Sequence, residues 1–152
     1  MLTLAAISLH AQTARDLSQV KKVFVSSLSG GNGAAELQQS LVKQLRKTGK
    51  FEVVTTSSQA DAVLKGSGQI WVKGHMAISP RSPSTNRQAI FGGFLSVEVV
   101  GANNAVLWSY LVTPSKFSWG SVSEDLSENL VREMVAAHDK IGQPPGQGVA
   151  QN

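Results

Sequence analysis

The stretch LSVEVVGANNAVLWS, residues Leu95 to Ser109, decides the fold. Its first half alternates apolar side chains with others, the period-2 pattern of a β-strand that has one covered face. Asparagine tolerates positive φ, so Asn103 and Asn104 can fill the two central positions of a tight type I′ turn. The stretch therefore predicts a β-hairpin.

The return strand of this hairpin runs from Ala105 to Val112. Successive side chains of a strand point to opposite faces. This alternation places one set of residues on one face and a second set on the other: Val106, Trp108 and Tyr110, and Leu107, Ser109 and Leu111. The pattern leaves open which of the two faces is solvated.

Three further extended segments precede the hairpin. KKVFVSSL (21–28) is β-branched and aromatic, with Val23 and Val25 on one face, and a short strand follows at 51–55. Residues 62–79 are also predicted to be extended. Gly66 and Gly68 interrupt this last segment, which predicts a bulge or bend there.

Two segments have the apolar spacing of a helix. In 34–49 the apolar residues recur every four positions, and Gly49 supplies a left-handed stop. In 121–141, Ser121 and Glu124 fit a capping box, and Gly142 ends the helix. The predicted apolar faces are Leu37, Leu41 and Leu45 in the first helix, and Leu126, Leu130, Met134, Ala137 and Ile141 in the second.

This order of elements predicts an α+β two-layer sandwich. Its mixed β-sheet has about four or five strands, with two helices packed on one face. Residues 12–141 form the single domain, residues 1–11 resemble a signal-peptide remnant, and residues 142–152 form a low-complexity tail predicted to be disordered.

Charge and composition narrow the classes of partner. The 152-residue chain has a formal charge of +4, with nine Lys/Arg and four Asp/Glu before residue 77, and five and six after it. This bias favours anionic partners but is too diffuse to indicate nucleic acid. With no cysteine, the sequence excludes disulfides, thiolate metal sites and cysteine nucleophiles.

The amino terminus indicates export. MLTLAAISLHAQ is apolar from Leu2 to Leu9, too short to span a bilayer, and is followed by small and polar residues, with Ala11 at the predicted cleavage point. Although this stretch lacks the usual basic segment of a leader, its length and its small residues favour export. We therefore expect a periplasmic or outer-membrane-associated protein. No stretch is long enough for a transmembrane segment.

Short motifs in the chain resemble a module of bacterial envelope proteins. They are QAD (59–61), LKG (64–66) and VLWS (106–109), set in the strand, turn and helix order described above. The pattern, over residues 21–140, is similar to the curli-secretion and penicillin-binding-protein-activator lipoproteins and to the amino-terminal domain of the Tol-system propeller protein. It is more loosely similar to the lipopolysaccharide-assembly lipoprotein.

The resemblance implies non-catalytic binding or assembly work in the envelope, with an envelope protein or an anionic glycolipid as partner. The chain departs from the lipoprotein members because it has no cysteine to acylate. It is also too short for the membrane-crossing hairpins of the curli channel. We therefore do not extend the lipid anchor or the pore of these families to this chain.

No catalytic constellation stands out, and we expect no enzyme activity, metal or cofactor. The His residues have no zinc-like spacing, and no nucleophile elbow occurs. One alternative is a nucleotide-binding domain or enzyme that uses the glycine-rich turn Ser29–Gly33, although Glu36 stands where the dinucleotide fingerprint has glycine. A second is a weak nucleic-acid binder using Lys43, Arg46, Lys47 and Lys50.

Five residues are predicted to contact a partner. Arg81 and Arg87 flank a Pro- and Ser-rich loop, and arginine can bind phosphate or carboxylate with two hydrogen bonds. Lys116, Phe117 and Trp119 form a second small patch. Trp71 and Trp108 are instead predicted to be core residues.

Overall fold

The structure, a computed structural model, describes residues 16–77 and 87–141. The strands are β1 (Lys22–Val25), β2 (Glu52–Val54), β3 (Ala62–Ala77), β4 (Arg87–Val100) and β5 (Val106–Val112). The helices are α1 (Ala34–Thr48) and α2 (Trp119–Ile141), with short 3₁₀ turns at Leu17–Gln19 and Ser57–Gln59. The predicted leader and tail lie outside the described residues.

The five strands form one mixed sheet in the order β2-β1-β3-β4-β5. β1 pairs in parallel with β2 and β3, whereas β3, β4 and β5 pair antiparallel. Both helices pack on one face, because their buried side chains join alternate strand residues in a single core. The predicted α+β sandwich is confirmed.

The hairpin between β4 and β5 turns as predicted. Asn103 and Asn104 have φ of 59° and 57°, and the Ala105 N–H donates to the Ala102 carbonyl at 3.3 Å. Asparagine adopts this left-handed conformation more readily than other residues with side chains. The residue pair that predicted the hairpin therefore forms the centre of its turn.

The predicted interruption of β3 at Gly66 and Gly68 is wrong. Their register with β4 is continuous, and the irregularity lies between Val72 and Gly74. A Cβ on Gly66 would lie 2.2 Å from the Ser96 carbonyl oxygen. Glycine at this position permits close approach to the neighbouring strand without bending its own strand.

Helix α1 matches its prediction. Leu37, Leu41 and Leu45 are fully buried, and Gly49 takes the left-handed φ of 67° that ends the helix. The spacing of four places these leucines on the side facing the sheet. Its exposed side carries the basic residues discussed below.

Helix α2 begins at Trp119, two residues before the predicted start. Ser121 lies inside the first turn, and the Val122 N–H donates to the Ser118 carbonyl at 2.9 Å, so the capping box at Ser121 is wrong. The buried Asp125 carboxylate instead accepts the Ser115 N–H at 2.7 Å and the Ser115 hydroxyl at 2.9 Å. This carboxylate fixes the segment that leads from β5 into α2.

The predicted apolar face of α2 is buried except at its carboxyl end. Leu126, Leu130 and Met134 are fully buried, but Ile141, the last residue of the helix, is 48% exposed. Within residues 16–77 and 87–141, no helix is both long and apolar enough to cross a membrane.

Candidate functional site

A two-stranded hairpin extends from one end of the sheet. β1 pairs with β3 only as far as Leu64, and β5 pairs with β4 only as far as Leu95. The loop after β1 follows β3 to Ile70, whose N–H donates to the Asn32 carbonyl. We call residues 71–77 and 87–92 the hairpin arm. Across the part of the chain that the structure describes, its two strands pair mainly with each other.

The arm carries three large exposed apolar side chains. Trp71, Val72 and Met76 are 43%, 53% and 56% exposed. Trp71 and Met76 lie on one face of this ribbon, and Val72, which pairs with Phe91, lies on the other. Single exposed apolar residues are ordinary, but exposed apolar side chains gathered on one short ribbon are of the kind that marks interaction sites.

The core position predicted for Trp71 is wrong. Its pairing with Gly92 in an alternating strand directs the side chain to the face of the sheet opposite the helices. The indole lies against Gly92, where a Cβ would come within 3.0 Å of Nε1. Its ring centroid is 6.4 Å from that of Phe94. These contacts hold the indole on the sheet surface and leave nearly half of it accessible.

The charge on the arm has one sign. No Asp or Glu occurs from Ala62 to Val97, whereas Lys65, Lys73, Arg81 and Arg87 lie in this interval. Their sum equals the formal charge of +4 of the whole chain, so the remaining residues are neutral overall. The basic character of the protein is thus concentrated on β3, β4 and their connection.

Three of the five predicted partner-binding residues lie on this arm or at its base. Arg87 is the exposed first residue of β4, not part of the loop. Lys116 and Phe117 lie at the base of the arm, where the Phe91 N–H donates to the Phe117 carbonyl at 2.7 Å; the Phe117 side chain is 58% exposed. Arg81 lies outside the described residues, and Trp119 begins α2.

The glycine-rich turn Ser29–Gly33 has a packing role. The Ser29 N–H donates to the Gly66 carbonyl, and the Gly68 N–H donates to the Ser29 carbonyl. Gly30 has φ of 132°, and a Cβ there would lie 2.1 Å from the Gly68 oxygen. Contact with β3 therefore accounts for glycine at position 30. Nucleotide binding by this turn stays a prediction.

Two basic residues, one on α1 and one in the turn after it, have acidic neighbours. Lys43 lies 3.9 Å from Glu124, and Lys50 lies 3.1 Å from Asp139. A depression of about 440 Å³ lies over α1 and is lined by Gln38, Gln39, Val42, Lys43 and Arg46. Because one helix supplies all of this lining, the depression is a surface groove and not an enclosed site.

One carboxyl group on this side has a perturbed pKa. A hydrogen bond from the His138 ring, followed in size by one from Lys50, lowers the pKa of Asp139 below its ordinary value. Both partners favour the ionised form of the carboxylate. This cluster links the end of α2 to the turn after α1.

The described residues include no group of three or more His, Asp or Glu side chains arranged to hold a metal ion. Asp61, in the QAD motif, accepts the backbone N–H groups of Lys21 and Lys22 at 2.9 and 2.8 Å. Asp125 contacts Ser115, and the Ser123 hydroxyl donates to Glu36 at 2.8 Å. Each of these carboxylates joins two segments of the fold.

Sequence reasoning missed the exposure of Trp71, Val72 and Met76. The absence of acidic residues between positions 62 and 97 was the available signal. Two paired strands that are longer than the strands beside them, and that contain no acidic residue, predict a projecting basic hairpin. Neither a neighbouring strand nor a carboxylate within the interval covers its charges.

No protein-family model matches the chain, and no curated protein matches it. The fold is similar to solved structures of the PelC dodecamer from Paraburkholderia phytofirmans. One, in space group P6, has 20% identity and a TM-score of 0.54 and covers 75% of this chain and 86% of that chain. Another, of a PelC point variant in space group C2, has 18% identity and a TM-score of 0.51 and covers 75% of this chain and 88% of that chain.

A solution structure of uncharacterized lipoprotein B from Nitrosomonas europaea aligns less well. It has 10% identity and a TM-score of 0.41 and covers 84% of this chain and 90% of that chain. At these identities the PelC likeness establishes the fold alone, and the named families of the sequence resemblance stay a prediction.

Proposed function

We propose that this protein is a non-catalytic, exported binding or assembly module of the bacterial cell envelope, and that its hairpin arm contacts an anionic glycolipid or lipid surface. One observation carries the proposal. The arm combines exposed Trp71, Val72 and Met76 with basic residues in an interval without a single carboxylate.

The chemistry of the arm suits an anionic amphiphile. Ammonium and guanidinium groups bind phosphate and carboxylate head groups, and each basic residue near an anionic surface contributes about 1 kcal/mol. Tryptophan favours the boundary between the polar and apolar layers, where its ring is buried and its N–H stays solvated. Lys73 and Arg87 can supply the first interaction, and Trp71 with Met76 the second.

The envelope location is supported by the amino-terminal stretch, which resembles a secretory leader. The assembly role is supported by the fold, which is similar to that of PelC, whose structures are of a dodecamer. An assembling protein of the same fold supports an assembly role for this chain. The structural roles of Asp61, Asp125 and Glu36 support a function without catalysis.

The proposal is tested by co-sedimentation with vesicles. Vesicles of phosphatidylglycerol and phosphatidylcholine are compared with vesicles of phosphatidylcholine alone, at low and high salt. We expect binding to the anionic vesicles that weakens with salt. The double variant Lys73→Gln/Arg87→Gln should weaken this binding by roughly thirtyfold, the effect of two interfacial charges.

A matched control is Lys47→Gln, which removes one exposed basic residue from α1. Its binding should stay close to that of the unmodified chain. Equal losses in the arm and α1 variants would contradict the arm as the contact surface. An absence of vesicle binding, together with arm-dependent capture of one protein from envelope extract, would assign the arm to a protein partner.

A further inference from the structure

The second exposed feature of the molecule is the edge strand β5, at the opposite side of the sheet from β2. Its sequence, VLWSYLV, contains no charged residue and no proline. Edge strands are usually protected from pairing by charges, proline, bulges or short length. The other edge, β2, has three residues and begins with Glu52. Of the two edges, β5 is the longer and has neither charge nor proline; it carries one of these protections, a bulge at Leu107 between the Val99–Trp108 and Val100–Val106 pairs.

The exposed side chains of β5 lie on both faces of the strand. Tyr110 shares the helix-bearing face with Trp108, and Leu111 projects from the opposite face. Val106, Tyr110 and Leu111 are 55%, 40% and 60% exposed, and Ser109 between them is also exposed. Apart from β4, no strand in residues 16–77 and 87–141 pairs with β5.

The sequence of β5 is a chemical palindrome centred on Ser109. If two copies run antiparallel about this residue, the opposed pairs are leucine with leucine and tryptophan with tyrosine. The positions are Leu107 with Leu111 and Trp108 with Tyr110, with Ser109 opposite itself. The flanking valines do not add a pair, because the bulge at Leu107 places Val106 and Val112 on opposite faces of the sheet. Every cross-strand pair thus joins side chains of the same class, the condition under which such pairs stabilise a sheet.

We infer that β5 pairs with β5 of a second copy, antiparallel and in register about Ser109. The result is a two-fold dimer with a continuous ten-stranded sheet. This interface is separate from the hairpin arm and does not rest on the proposed function.

The symmetry is consistent with the layers of the fold. A two-fold axis perpendicular to the sheet reverses strand direction and preserves the faces, so both helix layers lie on the same side. The contact is isologous, and the strands pair in register over residues 107–111, a length of about 16 Å. Pairing also satisfies the outward backbone N–H and C=O groups of β5 without requiring a change in the fold.

The aromatic residues strengthen this register. Within one chain, the rings of Trp108 and Tyr110 are stacked with centroids 5.7 Å apart and planes 5° apart. In the dimer, Trp108 lies opposite the partner's Tyr110, and Tyr110 lies opposite the partner's Trp108. Four rings then form one continuous ladder across the axis, and a shift of one residue would move the facing side chains to opposite faces.

The register is tested by cysteine cross-linking, because the chain has no cysteine of its own. Residues directly opposed in an antiparallel pair have Cα atoms about 4.5–5.5 Å apart, within the range for a disulfide. Ser109→Cys in the full chain should therefore form a disulfide-linked dimer under mild oxidation. The control Ser58→Cys places a thiol at an exposed site away from β5 and should stay largely monomeric.

Light scattering across a wide concentration range tests the association itself. The unmodified chain should reach twice the monomer mass, and Ser109→Lys should remain monomeric because it places two like charges together at the axis. Ser109 lies opposite Glu98 within its own sheet, so lysine gains a cross-strand partner and the monomer stays folded. Circular dichroism checks that fold, and Ser109→Thr serves as the neutral control.

Three outcomes would overturn the inference. They are a chain that stays monomeric at all concentrations, cross-linking of Ser109→Cys no faster than that of Ser58→Cys, and assembly unchanged by Ser109→Lys. The third result would assign association to another surface, and the arm variants would then show whether the arm is responsible.

Discussion

Asp61 links two strands that are distant in the sequence. Its Oδ2 atom accepts the N–H groups of Lys21 and Lys22, 40 and 39 residues away, and the Asp61 N–H donates to the Lys22 carbonyl at 2.9 Å. The QAD motif predicts a turn or capping carboxylate, because sequence patterns describe local partners. The actual partners lie at the start of β1 and just before it, and follow only from the parallel register of β1 and β3.

Asp61→Ala removes the side-chain acceptor of two backbone donors. We expect the free energy of unfolding to fall by about 1–2 kcal/mol, the cost of losing partly solvated hydrogen bonds to a charged group. Urea unfolding measures this loss, with the exposed Glu128→Ala on α2 as control. A midpoint shift no larger than that of the control would contradict the role of Asp61.

Gly30 and Gly49 provide a comparison between two residues with positive φ. Gly30 has backbone within 2.1 Å of its absent Cβ, whereas Gly49 has nothing within 4 Å. We expect Gly30→Ala to destabilise by about 2–4 kcal/mol and Gly49→Ala by about 1 kcal/mol. Thermal unfolding of both variants tests the difference, and equal losses would show that contact with β3 adds nothing to the conformational cost.

At the scale of elements, the end of α2 is joined to the turn after α1 by Lys50, His138 and Asp139. Because the pKa of Asp139 is lowered in the folded state, its contribution to stability is present above the unfolded-state pKa. That contribution is lost as pH falls through the lowered folded-state pKa. The cluster therefore stabilises the fold fully at neutral pH, and the loss of its contribution is confined to the acid limb of the stability curve.

NMR titration of the Asp139 carboxyl tests this cluster. His138→Gln should raise the pKa of Asp139 toward its ordinary value, and Lys50→Met should raise it less, following the order of the two causes. Glu128, on the same helix, is the internal reference. An Asp139 pKa that is unchanged in both variants would contradict the assigned partners.

The elements that could be predicted are those with local rules. Helix α1 followed from leucine spacing and a glycine stop, and the turn at Asn103 and Asn104 followed from their tolerance of positive φ. The predicted start of α2 was wrong because the Val122 N–H donates to the Ser118 carbonyl, so the helix begins before Ser121, where the capping-box pattern places its start. Exposure of Trp71 was missed because alternation defines two faces without indicating which one the helices cover.

At the scale of the whole molecule, both helices cover one face of the sheet, and strands β3 and β4 extend further than the strands beside them. This arrangement produces an exposed arm at one end and an exposed edge at β5. Neither surface follows from any single element. The arm depends on how far the adjacent strands extend, and the β5 edge depends on the order of the strands in the sheet. The sequence named Arg87, Lys116 and Phe117 beside this arm, and their binding role stays a prediction, but it did not indicate the exposure of Trp71, Val72 and Met76.

The most direct test of the arm uses Trp71 as a probe of its own surroundings. In the variant Trp108→Phe/Trp119→Phe, Trp71 is the remaining tryptophan. Its fluorescence is recorded with phosphatidylglycerol-containing vesicles and with phosphatidylcholine vesicles. We predict a shift to shorter wavelength with the anionic vesicles alone, because the indole leaves water for the interface. An unchanged spectrum in a sample that co-sediments with the anionic vesicles would contradict the arm as the binding surface.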